Sequence, residues 1–259
     1  MFRRFKVSLI IPCYNGKKFI AQRLESIMNQ KYKPYEIIFL DDASTDNSVD
    51  IATKILKQGK IRHTIIVNKD NMGIAHQISK GLETAKGNYI WFAEQDDFCY
   101  ADFLYTIKKM FKERNINLAY CNSKAVDENL EDYDYYYNEN LIIKSTKDFC
   151  VDGTYLVINN LLTENTIPCL SAVVFRKKAL NGIEKKLVDY KIFFDWFMYV
   201  YALRNGKVSY NSGILNYHMR HGDSVIAKKS GTQEFYEDAI TVKNYIEENY
   251  SIFLDEYRI

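Results

Sequence analysis

The alternation of strand-like and helix-like segments before residue 94 most constrains the fold of this chain. Short apolar runs predict four buried strands, at residues 6–11, 36–40, 64–67 and 89–93. Segments with apolar residues at helical spacing lie between them, at 17–29, 48–58 and 73–85. Because parallel strands need crossover connections, this order predicts an α/β fold, with a parallel sheet covered by helices on both faces. Right-handed crossovers then bring the carboxyl ends of the strands to one edge of the sheet.

Polar loops follow these strands where each one ends. They lie at residues 12–15, 41–44 and 94–97, and the turn before the third helix adds Asn68, Asn71 and Gly73. Open α/β sheets bind ligands at this edge. Carboxylates there can hold a hard divalent cation, and a helix N-terminus can take a phosphate. The convergence of these loops therefore predicts a metal-bridged diphosphate site, although an acidic surface loop remains the alternative for 94–97 taken alone.

Other nucleotide-binding motifs are absent from the sequence. It contains no GxGxxG, which excludes a dinucleotide fingerprint of the Rossmann type. It contains no GxxxxGK[ST] either, which excludes a P-loop. The net charge of +2 is too small to indicate a general nucleic-acid binder, so no nucleic-acid partner is expected.

Composition and cysteine spacing favour a globular intracellular protein. The chain has 259 residues, of which 47% are hydrophobic and 26% charged. We find no apolar run long enough to cross a bilayer and no secretory signal, which predicts a cytoplasmic location, with the inner face of the membrane left open. The five cysteines lack CxxC spacing, which is typical of reduced thiols and not of a disulfide frame or a zinc site.

Four segments together resemble a known family. Residues 7–16 (VSLIIPCYNG) and 40–46 (LDDASTD) are similar to the N-terminal half of family 2 glycosyltransferases. Residues 68–88 resemble the segment that these enzymes place before their metal motif, and 94–97 (EQDD) resembles their DxD element. The resemblance implies a GT-A fold, with a Rossmann-like, mostly parallel central sheet. It also implies a nucleotide-diphospho-sugar donor and inversion at the anomeric carbon.

The resemblance also implies roles for individual residues. Those expected to bind the nucleotide-sugar are Pro12, Tyr14, Asn15, Asp41, Asp42, Asn71, Gly73, Gln95 and Asp96. A divalent cation, Mg²⁺ or Mn²⁺, is expected at Asp96, with further candidate ligands at Asp97, Glu94 and His221. The family usually has Asp where this chain has Glu94, which leaves direct ligation by Glu94 open. For Asp42 a turn-capping role is the alternative.

The second half of the chain is expected to complete the chemistry. Asp195 precedes Trp196 at the start of an apolar helix, where family 2 enzymes carry an acid as the catalytic base. An ordinary N-cap is the alternative for Asp195. Trp196 and Cys169 are assigned to the acceptor side. Residues 216–225 resemble a Tyr-Arg-x-His signature of the family, in which His221 fits the histidine but His218 and Met219 stand where Tyr and Arg are expected. A structural role is the alternative for His221, because an isolated histidine is more often structural.

These expectations define domains and partners. A GT-A domain is predicted over 1–225, with a nucleotide-sugar half at 1–100 and an acceptor half at 101–225, followed by a helical extension at 226–259. The acceptor is expected to be a glycan or a lipid-linked saccharide. The tyrosine-rich segment 127–140 is interpreted either as a surface loop or as an aromatic wall for that acceptor. Peripheral membrane contact and homo-oligomerisation are left open.

The predicted reaction is inverting hexosyl transfer to a hydroxyl group, in bacterial surface polysaccharide synthesis. The EQDD motif at 94–97, the DW pair at 195–196 and His221 are similar to a set common in rhamnosyltransferases, whose motif reads DQDD; this favours dTDP-rhamnose, with a UDP-hexose as the other donor. A sugar-phosphate nucleotidyltransferase is one alternative, but residues 12–17 lack its glycine-rich basic loop. A non-catalytic nucleotide-sugar-binding subunit is the other.

Overall fold

The computed structural model describes residues 4–133, 146–222 and 224–253, and a single nine-stranded sheet organises them. The strands are β1 (Val7–Cys13), β2 (Glu36–Asp41), β3 (His63–Val67), β4 (Tyr89–Phe92), β5 (Phe98–Cys99), β6 (Ile116–Val126), β7 (Phe149–Asp152), β8 (Val173–Arg176) and β9 (Lys207–Met219). The helices are α1 (Ile20–Met28), α2 (Ser48–Gln58), α3 (Ile74–Thr84), α4 (Phe103–Met110), α5 (Gly153–Leu156), α6 (Phe194–Leu203), α7 (Val225–Lys229) and α8 (Gln233–Tyr250).

The order of the strands separates a parallel half of the sheet from a mixed half. The order is β3-β2-β1-β4-β8-β6-β9-β5, and β7 also pairs with β9. The pairs β2–β3, β1–β2 and β1–β4 are parallel, as the sequence predicts. β8 runs antiparallel between β4 and β6, and β6 is parallel to β9. The loops that follow β1, β2 and β4 therefore meet at one edge.

Two apolar cores lie on the two faces of the sheet. Leu9 and Ile10, adjacent in β1, belong to different cores because successive strand residues point to opposite faces. The core on the Ile10 side includes residues of α3, α6 and α8. The core on the Leu9 side includes residues of α1, α2 and α4. The prediction of helices on both faces is confirmed.

The C-terminal helix is part of this packing. Thr232 caps α8, since its hydroxyl accepts a hydrogen bond from the Phe235 N–H at 3.3 Å. The Tyr250 hydroxyl donates to the Val200 carbonyl of α6 at 2.7 Å, and the ring of Tyr245 meets that of Phe197 edge-on, with centroids 5.0 Å apart. α8 therefore packs against α6, the helix that carries Asp195.

Two further findings concern the tyrosine-rich segment and membrane-spanning helices. The second half of the tyrosine-rich segment predicted as a loop or acceptor wall, from 134 onward, lies outside the described residues. Across the described ranges, no helix is long and apolar enough to cross a membrane.

Candidate active site

A cleft of about 460 Å³ opens at the carboxyl ends of β1 and β4. Nine of the residues singled out from the sequence line it, namely Pro12, Tyr14, Asp42, Glu94, Gln95, Asp96, Cys169, Asp195 and His221. Six others do not line it: Asn15, Asp41, Asn71, Gly73, Asp97 and Trp196. The predicted site residues therefore divide into a group that faces the cleft and a group that lies around it.

The loop after β1 is fixed to the acidic loop after β4. The Tyr14 N–H donates to Oε1 of Gln95 at 3.0 Å, and Nε2 of Gln95 donates back to the Tyr14 carbonyl at 3.2 Å. The next residue, Asn15, has a φ of 49°. Its side chain accepts from the Thr45 N–H at 2.8 Å, and its own N–H donates to the Ser44 hydroxyl at 2.9 Å. Asn15 therefore orders the edge of the cleft without lining it.

Asp42 organises the turn before α3. Its carboxylate accepts hydrogen bonds from the Asn68 side chain at 2.9 Å and from the backbone N–H groups of Met72 and Gly73 at 2.9 and 2.7 Å. Burial alone would raise the pKa of Asp42, but these hydrogen bonds and one from Gln77 hold it below its usual value. Gly73 has a φ of 82°, which favours glycine. Asp42 therefore ties the turn before α3 to the loop after β2 instead of capping its own turn, and it also lines the cleft.

Asp41 and Asn71 lie farther back. Asp41 is buried at the end of β2, where its Oδ2 accepts the Ser44 N–H at 2.8 Å. Asn71 is exposed in the turn before α3. Contact of either residue with a nucleotide remains a prediction, and this arrangement gives Asp41 a role in holding the loop after β2.

Asp96 and His221 lie in contact at the cleft. The Oδ2 atom of Asp96 lies 2.8 Å from Nε2 of His221, and the side chain of Asp96 is 22% exposed. The ring of Phe19 packs on that of His221, with centroids 4.9 Å apart. Nearby, burial and the Arg220 cation lower the pKa of His218 to about 3, which keeps that imidazole neutral. A half-buried carboxylate that lines the cleft beside an imidazole is a suitable partial ligand set for a divalent cation.

The two neighbouring acids lie in different surroundings. Asp97 is buried, and its Oδ1 accepts the Met219 N–H at 2.9 Å, which ties the acidic loop to the end of β9. Burial and the Asp96 charge raise the pKa of Asp97 to about 7. Burial, followed by the charges of Asp97, Asp96 and Asp195, raises the pKa of Glu94 well above its usual value. Of the acids in this loop, Asp96 is the one best placed to bind a cation from the cleft.

Arg23 lies under the acidic loop. Its side chain, on α1, is fully buried, with the guanidinium carbon 5.1 Å from the centre of the Trp91 ring. Its positive charge lowers the pKa values of both Glu94 and Asp97, opposing the larger effect of burial. A buried cation beside buried acids limits the cost of holding those acids out of water.

Asp195 faces the cleft from the first turn of α6. It is not the N-cap, which is Phe193. Its Oδ2 accepts from the Asn165 side chain at 3.0 Å, and its Oδ1 accepts the Trp196 N–H at 2.7 Å. Burial raises the pKa of Asp195 to about 6. A fixed carboxyl with a raised pKa in a cleft has the properties of a general base.

The two residues assigned to the acceptor side occupy different positions. Cys169 lines the cleft, and its buried thiol lies 3.2 Å from Nδ2 of Asn216. Trp196 was expected to face the acceptor, and that expectation needs correction. Its side chain is 2% exposed, packs in the core, and donates its indole N–H to the Leu161 carbonyl at 2.9 Å. Trp196 therefore anchors the helix that carries Asp195.

Sequence reasoning missed three polar residues that support the site. Asn165 bonds to Asp195, and the Ser171 hydroxyl accepts the Glu94 N–H at 3.0 Å. Asp238 of α8 accepts the N–H groups of residues 191, 192 and 193 at 3.1, 2.8 and 2.6 Å. These pairings span 30 to 77 residues, so no local pattern could have indicated them.

Asp238 links the C-terminal helix to the turn before Asp195. Replacing Asp238 with Ala leaves three backbone N–H groups in that turn without their acceptor. We expect a loss of roughly 1–3 kcal/mol in unfolding free energy, the cost of unsatisfied buried donors. Urea unfolding measures this loss, with Glu247→Ala on the exposed face of α8 as the charge-matched control. Equal stabilities of the two variants would contradict the assignment.

The described residues supply only some of the ligands that a metal ion needs. No group of three or more His, Cys, Asp and Glu side chains within the described ranges is arranged as a complete metal site. Asp96 and His221 could supply two ligands, and oxygen atoms of a bound diphosphate would have to supply others. Magnesium is commonly bound in this way, through one or two carboxylates and substrate phosphates.

The fold resembles those of several solved structures. The Staphylococcus aureus TarS 1–349 structure in complex with UDP-GlcNAc has a TM-score of 0.71 and 19% identity, over 97% of this chain and 71% of that one. A mannosyltransferase, PcManGT from Pyrobaculum calidifontis, solved with GDP-Man and Mn²⁺, has a TM-score of 0.65 and 16% identity, over 98% and 73% of the two chains. The chain thus has the GT-A fold.

Sequence comparison then identifies the family. The profile described as glycosyl transferase family 2 matches residues 8–183, and the chain belongs to that family. A curated relative, the Escherichia coli UDP-Glc:alpha-D-GlcNAc-diphosphoundecaprenol beta-1,3-glucosyltransferase WfaP, is 29% identical over 229 residues, 86% of this chain and 80% of WfaP. Streptococcus pneumoniae GlyG is also 29% identical, but the match spans only 46% of GlyG. The chain therefore carries a glycosyl transferase family 2 domain, and it spans about half or less of the length of GlyG.

Proposed function

We propose that the protein is an inverting glycosyltransferase that moves a hexose from a nucleotide-diphospho-sugar to an acceptor hydroxyl group. One observation carries this proposal, namely that Asp195 and the Asp96–His221 pair line the same cleft. Asp195 supplies a base, and the Asp96–His221 pair supplies some of the ligands for a cation at the diphosphate.

Asp195 is the proposed base. It accepts the proton of the acceptor hydroxyl while that oxygen bonds to the anomeric carbon. The bond from that carbon to the diphosphate oxygen breaks, and the nucleoside diphosphate leaves with the electron pair. A single displacement of this kind inverts the configuration. Asn165 keeps the carboxylate in place through its 3.0 Å hydrogen bond.

A divalent cation fits the acidic side of the cleft. Asp96 would hold it, His221 is a candidate second ligand, and the cation would neutralise charge that develops on the leaving diphosphate. Tyr14 and Gln95, joined by two hydrogen bonds, form the adjoining wall and are proposed to contact the nucleotide. Asp97 and Glu94 are assigned to shaping this loop, since both carboxyl groups have raised pKa values.

Apolar residues of the C-terminal segment are proposed to exclude water. Val225, Ile226 and Phe235 line the cleft together with Phe193 and Phe194, which flank Asp195. The Phe193 and Phe235 rings meet edge-on, with centroids 4.9 Å apart. Excluding water favours transfer to the acceptor over hydrolysis of the donor.

The donor we propose is a UDP-hexose. WfaP, which shares most of its length with this chain, is named for UDP-Glc and a diphosphoundecaprenol-linked GlcNAc acceptor. That name supports UDP-glucose over dTDP-rhamnose, and a lipid-linked saccharide as the acceptor. We further propose that the protein acts in polysaccharide synthesis at the cytoplasmic side of the membrane.

Identification of the released nucleotide tests this function. The protein would be incubated with Mn²⁺, a soluble GlcNAc-diphosphate acceptor and, in separate reactions, UDP-glucose, UDP-GlcNAc or dTDP-rhamnose. We expect release of UDP and formation of a glycosylated acceptor. Phosphorus NMR identifies the released nucleotide. In a separate incubation of UTP with glucose 1-phosphate, formation of UDP-glucose with release of pyrophosphate would instead indicate a nucleotidyltransferase. Donor binding without turnover of any of the three would indicate a binding subunit.

Activity should rise with pH around the pKa of Asp195. The base acts when deprotonated, and burial raises its pKa to about 6. We expect kcat/KM to be constant above that value and to fall about tenfold per pH unit below it. The measurement is the pH profile at fixed free Mn²⁺. A profile without this acidic limb, in a protein that remains folded, would contradict the role of Asp195.

A further inference from the structure

A second cavity, of about 550 Å³, lies at the opposite end of the sheet from the cleft. Lys6 and Asn88 line it, immediately before the first residues of β1 and β4. The other ends of these two strands lead into the cleft. Because β1 has seven residues and a strand rises about 3.3 Å per residue, the two sites are roughly 20 Å apart.

The cavity is strongly basic. Its cationic lining residues are Arg4, Lys6, Lys86, Arg176, Lys177 and Lys178. The remaining lining residues are Gly87, Asn88 and Asn181, so no acid faces the cavity. Within the described parts of the chain, none of the six cations forms an ion pair with Asp or Glu. The positive charge is therefore left for an external anion to neutralise.

Neutral partners hold two of these cations against the wall. Nε of Arg176 donates to the Ile116 carbonyl at 2.7 Å, and Nζ of Lys177 donates to the Ala85 carbonyl at 2.6 Å. Carbonyl groups orient a cation without cancelling its charge. Arg4, Lys86 and Lys178 are exposed at the rim. The cavity thus has two cations held in its wall by hydrogen bonds and three exposed cations at its opening.

Asn88 adds a hydrogen-bond donor to the basic lining of the cavity. Its Oδ1 accepts the Lys6 N–H at 2.9 Å, so the remaining polar atom of its side chain is the amide nitrogen, a hydrogen-bond donor. One carboxylate adjoins the cavity without lining it. Glu36 is buried, and it accepts the Ser8 hydroxyl and the Lys86 N–H, both at 2.6 Å. Donors and cations therefore dominate the surface that a ligand would meet.

We propose that this cavity binds several phosphate groups at once. Lysine ammonium and arginine guanidinium groups are the usual partners of phosphate oxygens. Six cations around one concavity match a group of phosphates better than a single carboxylate. The phosphates could belong to one soluble polyphosphate or to neighbouring lipid headgroups of an anionic membrane. This site is separate from the proposed donor site and does not depend on it.

Calorimetric titration with tripolyphosphate tests the site. It is done in EDTA, so that metal-dependent binding in the cleft does not contribute. We expect Lys86→Ala/Lys178→Ala to bind at least tenfold more weakly than the wild type. The control Lys54→Ala/Lys57→Ala, which removes the same charge from the exposed face of α2, should bind normally. Asp96→Ala should also bind normally.

Each outcome of these experiments either overturns the proposal or identifies the source of the phosphates. Absence of tripolyphosphate binding together with absence of vesicle binding would overturn it. Equal weakening in both lysine double variants would also overturn it, because binding would then depend on net charge alone. Sedimentation with phosphatidylcholine vesicles, with and without phosphatidylglycerol, distinguishes the sources. Phosphatidylglycerol-dependent binding that Lys86→Ala/Lys178→Ala loses assigns the phosphates to lipid. Tripolyphosphate binding alone assigns them to a soluble ligand.

Discussion

Replacement of Asp195 with Asn is expected to lower kcat by about 10²–10⁴-fold, the usual contribution of a general base. The amide has nearly the same shape as the carboxyl group but cannot accept the proton of the acceptor hydroxyl. The Trp196 N–H retains an oxygen acceptor in this variant, so α6 should keep its position. Donor binding should change little, because Asp195 acts on the acceptor.

Steady-state kinetics and a UDP titration measure these two expectations. Asp189→Asn is the matched control, since it removes an exposed carboxylate shortly before α6. It should leave kcat unchanged. Asn165→Ala should cause a smaller loss than Asp195→Asn, because it frees the carboxylate without removing it. Near-normal turnover of Asp195→Asn, with the protein folded, would show that another group takes the proton.

Replacement of Asp96 with Ala should lower kcat/KM by at least about 100-fold. A cation at the diphosphate contributes several kcal/mol of charge stabilisation, and each 1.36 kcal/mol is tenfold in rate. The variant removes the half-buried carboxylate that lines the cleft and the partner that lies 2.8 Å from His221. It leaves Asp97, which is bonded to the Met219 backbone, in place.

Thermal shift with UDP, in the presence and absence of Mn²⁺, separates a metal role from a structural one. A ligand that binds the native state raises the melting temperature. We expect a Mn²⁺-dependent increase for the wild type and for the control Asp70→Ala, an exposed acid outside the cleft. Asp96→Ala should lose that increase while melting normally without ligand. Full wild-type activity in EDTA would contradict a metal at Asp96.

The parts of the structure that local patterns encode were predictable. The apolar runs that became β1, β2 and β4 have strand composition, and the polar loops after them do line or border the cleft. The turn before α3 was also predictable from Gly73, because glycine readily adopts a positive φ, and the φ found there is 82°. These features depend on residues close together in the sequence. Their periodicity and turn chemistry therefore predict them directly.

Features that depend on distant contacts were not predictable in the same way. The placement of β8 between β4 and β6 joins segments more than fifty residues apart. Trp196 follows Asp195 directly, yet the turn of α6 points the two side chains to the core and to the cleft. Asp238 lies 45 residues from the Phe193 N–H that it accepts. A residue next to a catalytic group in sequence need not share its environment.

The anomeric configuration of the sugar first released from UDP-glucose tests the central claim most directly. Slow hydrolysis of the donor by water uses the same displacement, so proton NMR can follow it without a known acceptor. UDP-glucose carries an α-linked diphosphate, and one displacement assisted by Asp195 predicts β-glucose as the initial product, with the reaction lost in Asp195→Asn. Initial release of α-glucose would contradict the account, because retention requires a second nucleophile.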